Sequence, residues 1–256
     1  MRSFNFILTS LCLVILSCKK DKASKVSESP ETSCVCLKEN IGIALGNNVP
    51  CYGFLTMTTY TDMTGNSPLS YVSTNAFFTS IAAYQESGNG MVTVDSVYLN
   101  QQSVQSVKDA NGNHMYYQNN YSSWPSQQNW SVFGANGIPT FTFSADVKNP
   151  VADFSLLPDK INKNLVRSFK LNGVANITGG SAIIADESGK TYWNVSIIVR
   201  EGTNDLCFPQ EQIKLLGPGK ASLTILLENT IVQTFNSKNI AFSKRLQYTK
   251  NIELEP

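Results

Sequence analysis

Charge is scarce in this 256-residue chain: Asp, Glu, Lys and Arg together make up 15% of it. The 20 basic and 19 acidic side chains nearly cancel, so there is no electrostatic reason to expect nucleic acid or an anionic surface as a partner. Histidine is scarcer still. His114 is the only one, so a Ser-His-Asp site would have to be built on it, and a zinc site needs more ligands than one imidazole. No G-x-S-x-G, H-E-x-x-H, Walker A loop or G-x-G-x-x-G is present,. Asp62, Glu86, Asp95, Asp146, Asp153, Asp186 and Glu201 are scattered, and spacing alone does not pair them for glycosidase chemistry,. Asp109, Asn111 and Asn113 have the spacing of calcium-loop oxygens, but the glycine falls at the fourth position and Asn120 stands where a Glu is needed,. These shortages argue against an enzyme, a cofactor or a metal, and leave a hydrolase as the weakest of the functional readings. Long 3.6-residue apolar periodicity is also missing, which argues against helical bundles and α/β folds,.

The one long apolar run lies at the start. Arg2 gives a short positive region, and Phe4 to Leu16 is apolar and too short to span a membrane,. Ser17 is small and precedes Cys18. This is the layout of a secretory signal over residues 1–17. The run Ile15-Leu16-Ser17-Cys18 resembles the lipobox of bacterial lipoproteins. That resemblance implies acylation of the Cys18 thiol, cleavage before it, and attachment to the membrane through the lipid. Residues 18–33 hold Val26 as their only large aliphatic after Cys18 and no aromatic. They read as the lipidated cysteine and a flexible tether. Lys19, where an Asp would imply inner-membrane retention in this family, implies an outer-membrane address.

From residue 51 onward the signal is period-2 alternation. Tyr192 to Arg200 is the clearest case, with Trp193, Val195, Ile197 and Val199 assigned inward and Tyr192 outward,. Asn89-Gly90, Asn111-Gly112, Asn136-Gly137 and Asn172-Gly173 suit turns with positive φ, and Asp186-Glu187-Ser188-Gly189 reads as a hairpin end,. Pro209 to Leu216 is the one helical hint, with Ile213 and Leu216 packing inward,. Asn149-Pro150 and Leu157-Pro158 break the periodicity,. The expected architecture is therefore all-β, with two antiparallel β-sandwich domains. The first covers residues 34–149. The second covers residues 150–256, is immunoglobulin- or fibronectin-like, and has Trp193 as its central anchor. Residues 158–256 are expected to fold alone.

Besides Cys18, the mature chain has Cys34, Cys36, Cys51 and Cys207. An oxidising compartment permits pairing. Cys36 with Cys51 is the candidate disulfide, closing a loop of about 15 residues worth ~3 kcal/mol. Four buried thiols is the competing reading.

Tyr116, Tyr117, Tyr121, Trp124 and Trp130 lie close together among Gln, Asn and Ser. Rings stack on the C–H faces of sugars while amides bond hydroxyls, so this stretch is the candidate glycan surface. Tyr121 and Trp124 are assigned to a loop, with Asn120 and Gln127 as hydrogen-bonding partners. The competing reading makes these rings core and loop packing. Asp95-Ser96-Val97 matches the short pattern used for O-glycosylation in Bacteroidota.

The order Val94-Asp95-Ser96-Val97-Tyr98-Leu99-Asn100, Trp130-Ser131-Val132-Phe133-Gly134, Ile138-Pro139-Thr140-Phe141 and Leu157-Pro158 resembles uncharacterised Bacteroidota lipoproteins over most of the mature chain. The resemblance implies a β-sandwich ectodomain on a lipid anchor in the cell envelope, and no activity. The partner is then the membrane, with a glycan or another envelope protein as ligand.

Overall fold

The computed structural model describes residues 49–256 apart from 66, 84–89, 109–113, 122, 165–166, 195–202 and 209. For 120–121, 167–170, 193–194, 203–208 and 210–211 it describes the backbone alone. The strands are β1 (Cys51–Asp62), β2 (Leu69–Ala83), β3 (Met91–Val92), β4 (Ser96–Leu99), β5 (Gln102–Lys108), β6 (His114–Tyr121), β7 (Gln128–Phe133), β8 (Phe141–Ala145), β9 (Val151–Asp153), β10 (Lys160–Asn162), β11 (Arg167–Ala175), β12 (Gly179–Asp186), β13 (Thr191–Asn194) and β14 (Thr203–Phe208). A single helical turn, α1 (Gln210–Ile213), precedes two long strands, β15 (Gly219–Phe235) and β16 (Lys238–Glu255). The all-β expectation holds. α1 buries Ile213, and Leu216 just beyond it is buried too.

The spine is the β15–β16 hairpin. Asn236 and Ser237 both take positive φ, 45° and 65°, the two-residue geometry whose twist matches the flanking strands. Seventeen residues of β15 pair with β16 from Phe235↔Lys238 to Gly219↔Leu254, which makes the ribbon roughly 58 Å long. That exceeds what one small core needs. The ribbon serves two.

Near its turn, Ile240 and Phe242 are fully buried with Leu55, Met57, Phe78, Trp130 and Val132 in a first core. Toward its open end, Leu223, Ile225, Leu227, Ile252 and Leu254 join Ile161, Leu171, Ile184 and Ile213 in a second. The register puts both on one face of the sheet. The first core is closed by β4, β5, β7 and β8, which continue the 13-stranded sheet in the order β13-β12-β15-β16-β1-β2-β6-β5-β4-β7-β8. The second is closed by α1 and by the separate three-stranded sheet β14-β11-β9.

The strand pairing corrects the expected domain plan. All described residues belong to one compact unit, and β1 pairs in parallel with β16 over ten residues, Gly53↔Ile240 to Asp62↔Thr249. The sheet is therefore mixed, not purely antiparallel, and it runs unbroken past the division drawn between 149 and 150. A parallel pair joins strands that no tight turn connects. Here they lie at opposite ends of the unit, where local periodicity carries no trace of the pairing. The register of β13 also differs. Tyr192, assigned outward, pairs with buried Ile184 and packs against the second core. Trp193 pairs with half-buried Ile183, and its side chain lies outside the described residues.

Candidate binding face

The four residues assigned to one glycan loop do not make one. Asn120 and Tyr121 end strand β6, with Tyr121 opposite Val72; their side chains lie outside the described residues. Trp124 does follow the strand, but its ring is half-buried against the first core. The Lys244 ammonium stands 6.0 Å from the ring centroid, and the indole Nε1 is buried with no hydrogen-bond acceptor among the described residues. An open stacking platform needs the opposite arrangement. Tyr116 and Trp130 are core: the Tyr116 hydroxyl donates to the Val94 carbonyl and accepts from Val94 N at 2.9 Å, and Trp130 Nε1 donates to Gln128 Oε1 at 3.1 Å. Gln127 stays on an exposed surface, where its Nε2 donates to Ser144 Oγ at 2.6 Å.

That surface is the outer side of β4, β7 and β8. Alternation sends Val97, Leu99, Trp130, Val132 and Phe141 inward. Ser96, Tyr98, Asn129, Ser131, Phe133, Thr142 and Ser144 then point outward. Phe133 is 51% exposed and is the only strongly exposed aromatic among the described residues. Its ring meets Tyr98 edge to face, centroids 6.0 Å apart at 77°. Beside this pair lies a hydrogen-bonded amide row. Asn100 Oδ1 accepts from Asn129 N at 2.9 Å and from Asn129 Nδ2 at 3.2 Å, and Asn100 Nδ2 donates to the Gln127 carbonyl at 3.1 Å. The three strands contain no Asp, Glu, Lys or Arg. The face is rings, amides and hydroxyls without charge.

Two backbone devices hold it. Asn100 and Gln101 take positive φ of 49° and 66° in the two-residue β4–β5 turn, which fixes where the Asn100 amide sits. After β7 the chain folds tightly: a Cβ on Gly134 would stand 2.1 Å from the Ile138 carbonyl oxygen, so only glycine fits. Gly134 N also donates to Thr140 Oγ1 at 2.9 Å. Ser96, half-exposed, pairs with Phe133 on this same face, so the Asp95-Ser96-Val97 pattern presents its hydroxyl outward.

The face could have been found from sequence. Trp130 and Phe133 are three apart, an odd spacing, so a strand that buries one ring must expose the other.

Other polar groups are mostly structural. The buried Glu228 carboxylate pairs with Arg245 and accepts from Thr230 Oγ1 at 2.6 Å, and Thr230 Oγ1 lies 2.7 Å from Ser243 Oγ. Asp186 accepts from Ser188 Oγ and from the backbone amides of Ser188, Lys190 and Gly217. The Ser188 hydroxyl and the Gly217 amide lead in bringing its pKa down to about 2, as hydrogen bonds to a carboxylate do. Burial holds the Lys244 amine below the usual lysine value, with Asp146 pulling the other way. Burial likewise raises Tyr71, with Tyr60 stacked on it at 4.7 Å. His114 opens β6 with Nδ1 3.3 Å from Ser106 Oγ. Among the described residues no group of three or more His, Cys, Asp or Glu is placed to hold a metal.

Cys51 opens β1, fully buried, with its sulfur 3.4 Å from the Val49 carbonyl oxygen. Its expected partner Cys36 and the expected lipidation site Cys18 lie outside the described residues. No described helix is long and apolar enough to cross a membrane. The chain matches no protein-family model, and no curated protein matches it.

Proposed function

We propose that this chain is a lipid-anchored protein of the bacterial cell envelope, held at the outer membrane through Cys18, whose β unit binds or organises a partner without catalysis. The observation that carries this reading is the order of the chain. An apolar export signal ends in Leu16-Ser17-Cys18, a charged and Ser-rich tether follows, and the β unit comes after it. Each buried CH₂ of an acyl chain contributes ~0.8 kcal/mol, so the two or three chains of a lipoprotein cysteine hold a unit this size durably. The non-catalytic part is supported by the chemistry at hand. The sole imidazole sits beside a serine hydroxyl at the end of the β5–β6 pair nearest their connection, and among the described residues no carboxylate is bonded to it to fix its tautomer, as a triad requires,. A carbohydrate ligand is the second reading, favoured by the uncharged aromatic face of β4, β7 and β8.

The test is radiolabelled palmitate incorporation in cells producing the full-length chain. Label is expected on the wild type and absent from Cys18→Ser, which should also keep its signal. Label that persists in Cys18→Ser, or wild type that takes none, rejects the anchor.

A further inference from the structure

We propose that the outer face of β4, β7 and β8 is a flat binding platform for a neutral polysaccharide chain. The inference deepens the reading of this unit as a non-catalytic binder and does not depend on the anchor. Three observations carry it. The first is the exposed ring. Phe133 gives half its surface to water at the end of β7 while it packs edge to face with Tyr98. A ring braced in this way offers its exposed surface to a sugar at little further cost in side-chain ordering.

The second is charge. These strands carry none, in a chain that is 15% charged overall. A surface of hydroxyls and amides matches a hydroxyl-rich, uncharged ligand. It would discriminate poorly for an anionic polymer, a nucleic acid or a lipid headgroup, each of which needs cations nearby.

The third is preorganisation. Asn100, Asn129, Gln127 and Ser144 are already bonded to one another in a row. Gln127 Oε1 and Asn129 Oδ1 remain as acceptors for sugar hydroxyls. Along β7, Asn129 and Phe133 are four residues apart, roughly 14 Å. That is the reach of a short run of linked sugar rings, so the ligand is a chain rather than a single sugar.

The experiment is native affinity electrophoresis of the full-length protein in detergent, through gels containing mixed-linkage β-glucan, xylan, glucomannan or dextran, with alginate as the charged comparison. At least one neutral polymer should retard the wild type, and added salt should leave the retardation unchanged. Phe133→Ala should weaken it by about tenfold or more, as loss of an aromatic contact does. Phe133→Tyr should retain it. Gln127→Ala, which leaves the ring pair intact, should weaken it less. Thermal melts of each variant keep a folding defect apart from a binding defect.

The proposal is overturned if none of the four neutral polymers retards the protein or if alginate alone does. It is also overturned if a folded Phe133→Ala migrates as the wild type does, or if that substitution only changes self-association. Release of reducing ends from a retarding polymer would reject the non-catalytic reading while leaving the platform in place.

Discussion

The two cores share a floor and differ in what fills them. The first is aromatic. Trp130, Phe78, Phe242, Tyr116 and Phe141 are buried in it, and Phe235 stacks on Phe141 at 4.3 Å while Phe143 lies 4.7 Å from Phe242. The second is aliphatic. Among the described side chains its buried members are Leu, Ile, Val and Ala, and the rings Phe154, Tyr192 and Tyr248 stay at the margin. The roofs differ as well: β4, β5, β7 and β8 close the first core as a continuation of the large sheet, and a separate three-stranded sheet with one helical turn closes the second. A domain boundary was drawn between the regions because the sequence does change character there. The hairpin cancels that boundary, since its turn end and its open end belong to different cores.

The largest effect should come from cutting the floor. A fragment of residues 158–256 keeps most of the second core, losing Leu157 and β9, and strips the cover from Ile240 and Phe242, which the first core buries completely. It should show no cooperative urea transition as a monomer, contrary to the expectation of an autonomous domain. A folded, monomeric fragment would restore the two-domain plan. Next come the anchors themselves. Trp130→Ala should cost ~3–5 kcal/mol and Leu223→Ala ~2–5 kcal/mol, and both should shift one shared transition because both cores hang on β15 and β16. Two separate transitions in either variant, followed by far-ultraviolet circular dichroism and tryptophan fluorescence, would show that the floor does not couple them.

The local part of this comparison is legible in the sequence, and the rest is not. Strand existence, the Asp186–Gly189 hairpin end and the turn of helix before Leu216 are local, written in alternation and turn residues. Gly189 donates to the Asp186 carbonyl at 2.9 Å with φ 81°, as that motif requires. The parallel β1–β16 pair is nonlocal and left no local mark. β16 carries its clearest apolar alternation at its two ends, Ile240–Phe242 and Ile252–Leu254. Its middle, Ser243 to Thr249, alternates Lys244, Leu246 and Tyr248 with polar residues and crosses the seam between the cores. Asn236-Ser237 and Asn100-Gln101 lack the glycine that usually announces a two-residue turn, so the sequence does not mark where β15 and β4 end. Aromatic density does not mark the exposed face of β4, β7 and β8. Most of the dense stretch is core or strand, and the exposed ring lies three residues past it.

The seam offers a sharper probe of how the regions are joined. Lys244 is 3% exposed on the core face, between Phe242 of the first core and Leu246 at the edge of the second. Its ammonium donates to Asn149 Oδ1 at 2.8 Å. The Asn149 carbonyl accepts from Asn176 Nδ2 at 3.1 Å, and Asn229 Nδ2 reaches the Lys148 carbonyl at 2.9 Å. The segment at the expected boundary is thus bonded across both regions. Asn149→Ala should cost ~1–3 kcal/mol by leaving a buried ammonium without its acceptor. Lys244→Met keeps the volume and removes the need for that acceptor, so adding Asn149→Ala to it should cost clearly less than in the wild type. Full additivity of the two in urea denaturation would mean the seam bond does not join the regions.

The smallest effect should appear only in acid, and only on one side. Among the described residues, the carboxylates held below their ordinary range are Asp153 by Ser155, Asp159 by Lys250 and Asp186 by Ser188 and Gly217. All three border the second core. For Asp186 the folded value is about 2 against an ordinary 3.8. Between those two pH values the unfolded chain binds the proton and the folded one does not, so stability rises with pH across the window. Asp186 therefore contributes in full above 3.8 and loses its contribution as pH falls toward about 2. Asp186→Asn cannot accept the same set of donors with an amide nitrogen in place of one oxygen, and it does not titrate. The gap in urea midpoint between wild type and Asp186→Asn should hold steady above pH 3.8 and narrow toward about 2. The gap between wild type and Trp130→Ala, which rests on apolar packing in the other core, should not follow it. If both gaps narrowed together, acid would be acting on the shared hairpin and not on the turn that Asp186 holds.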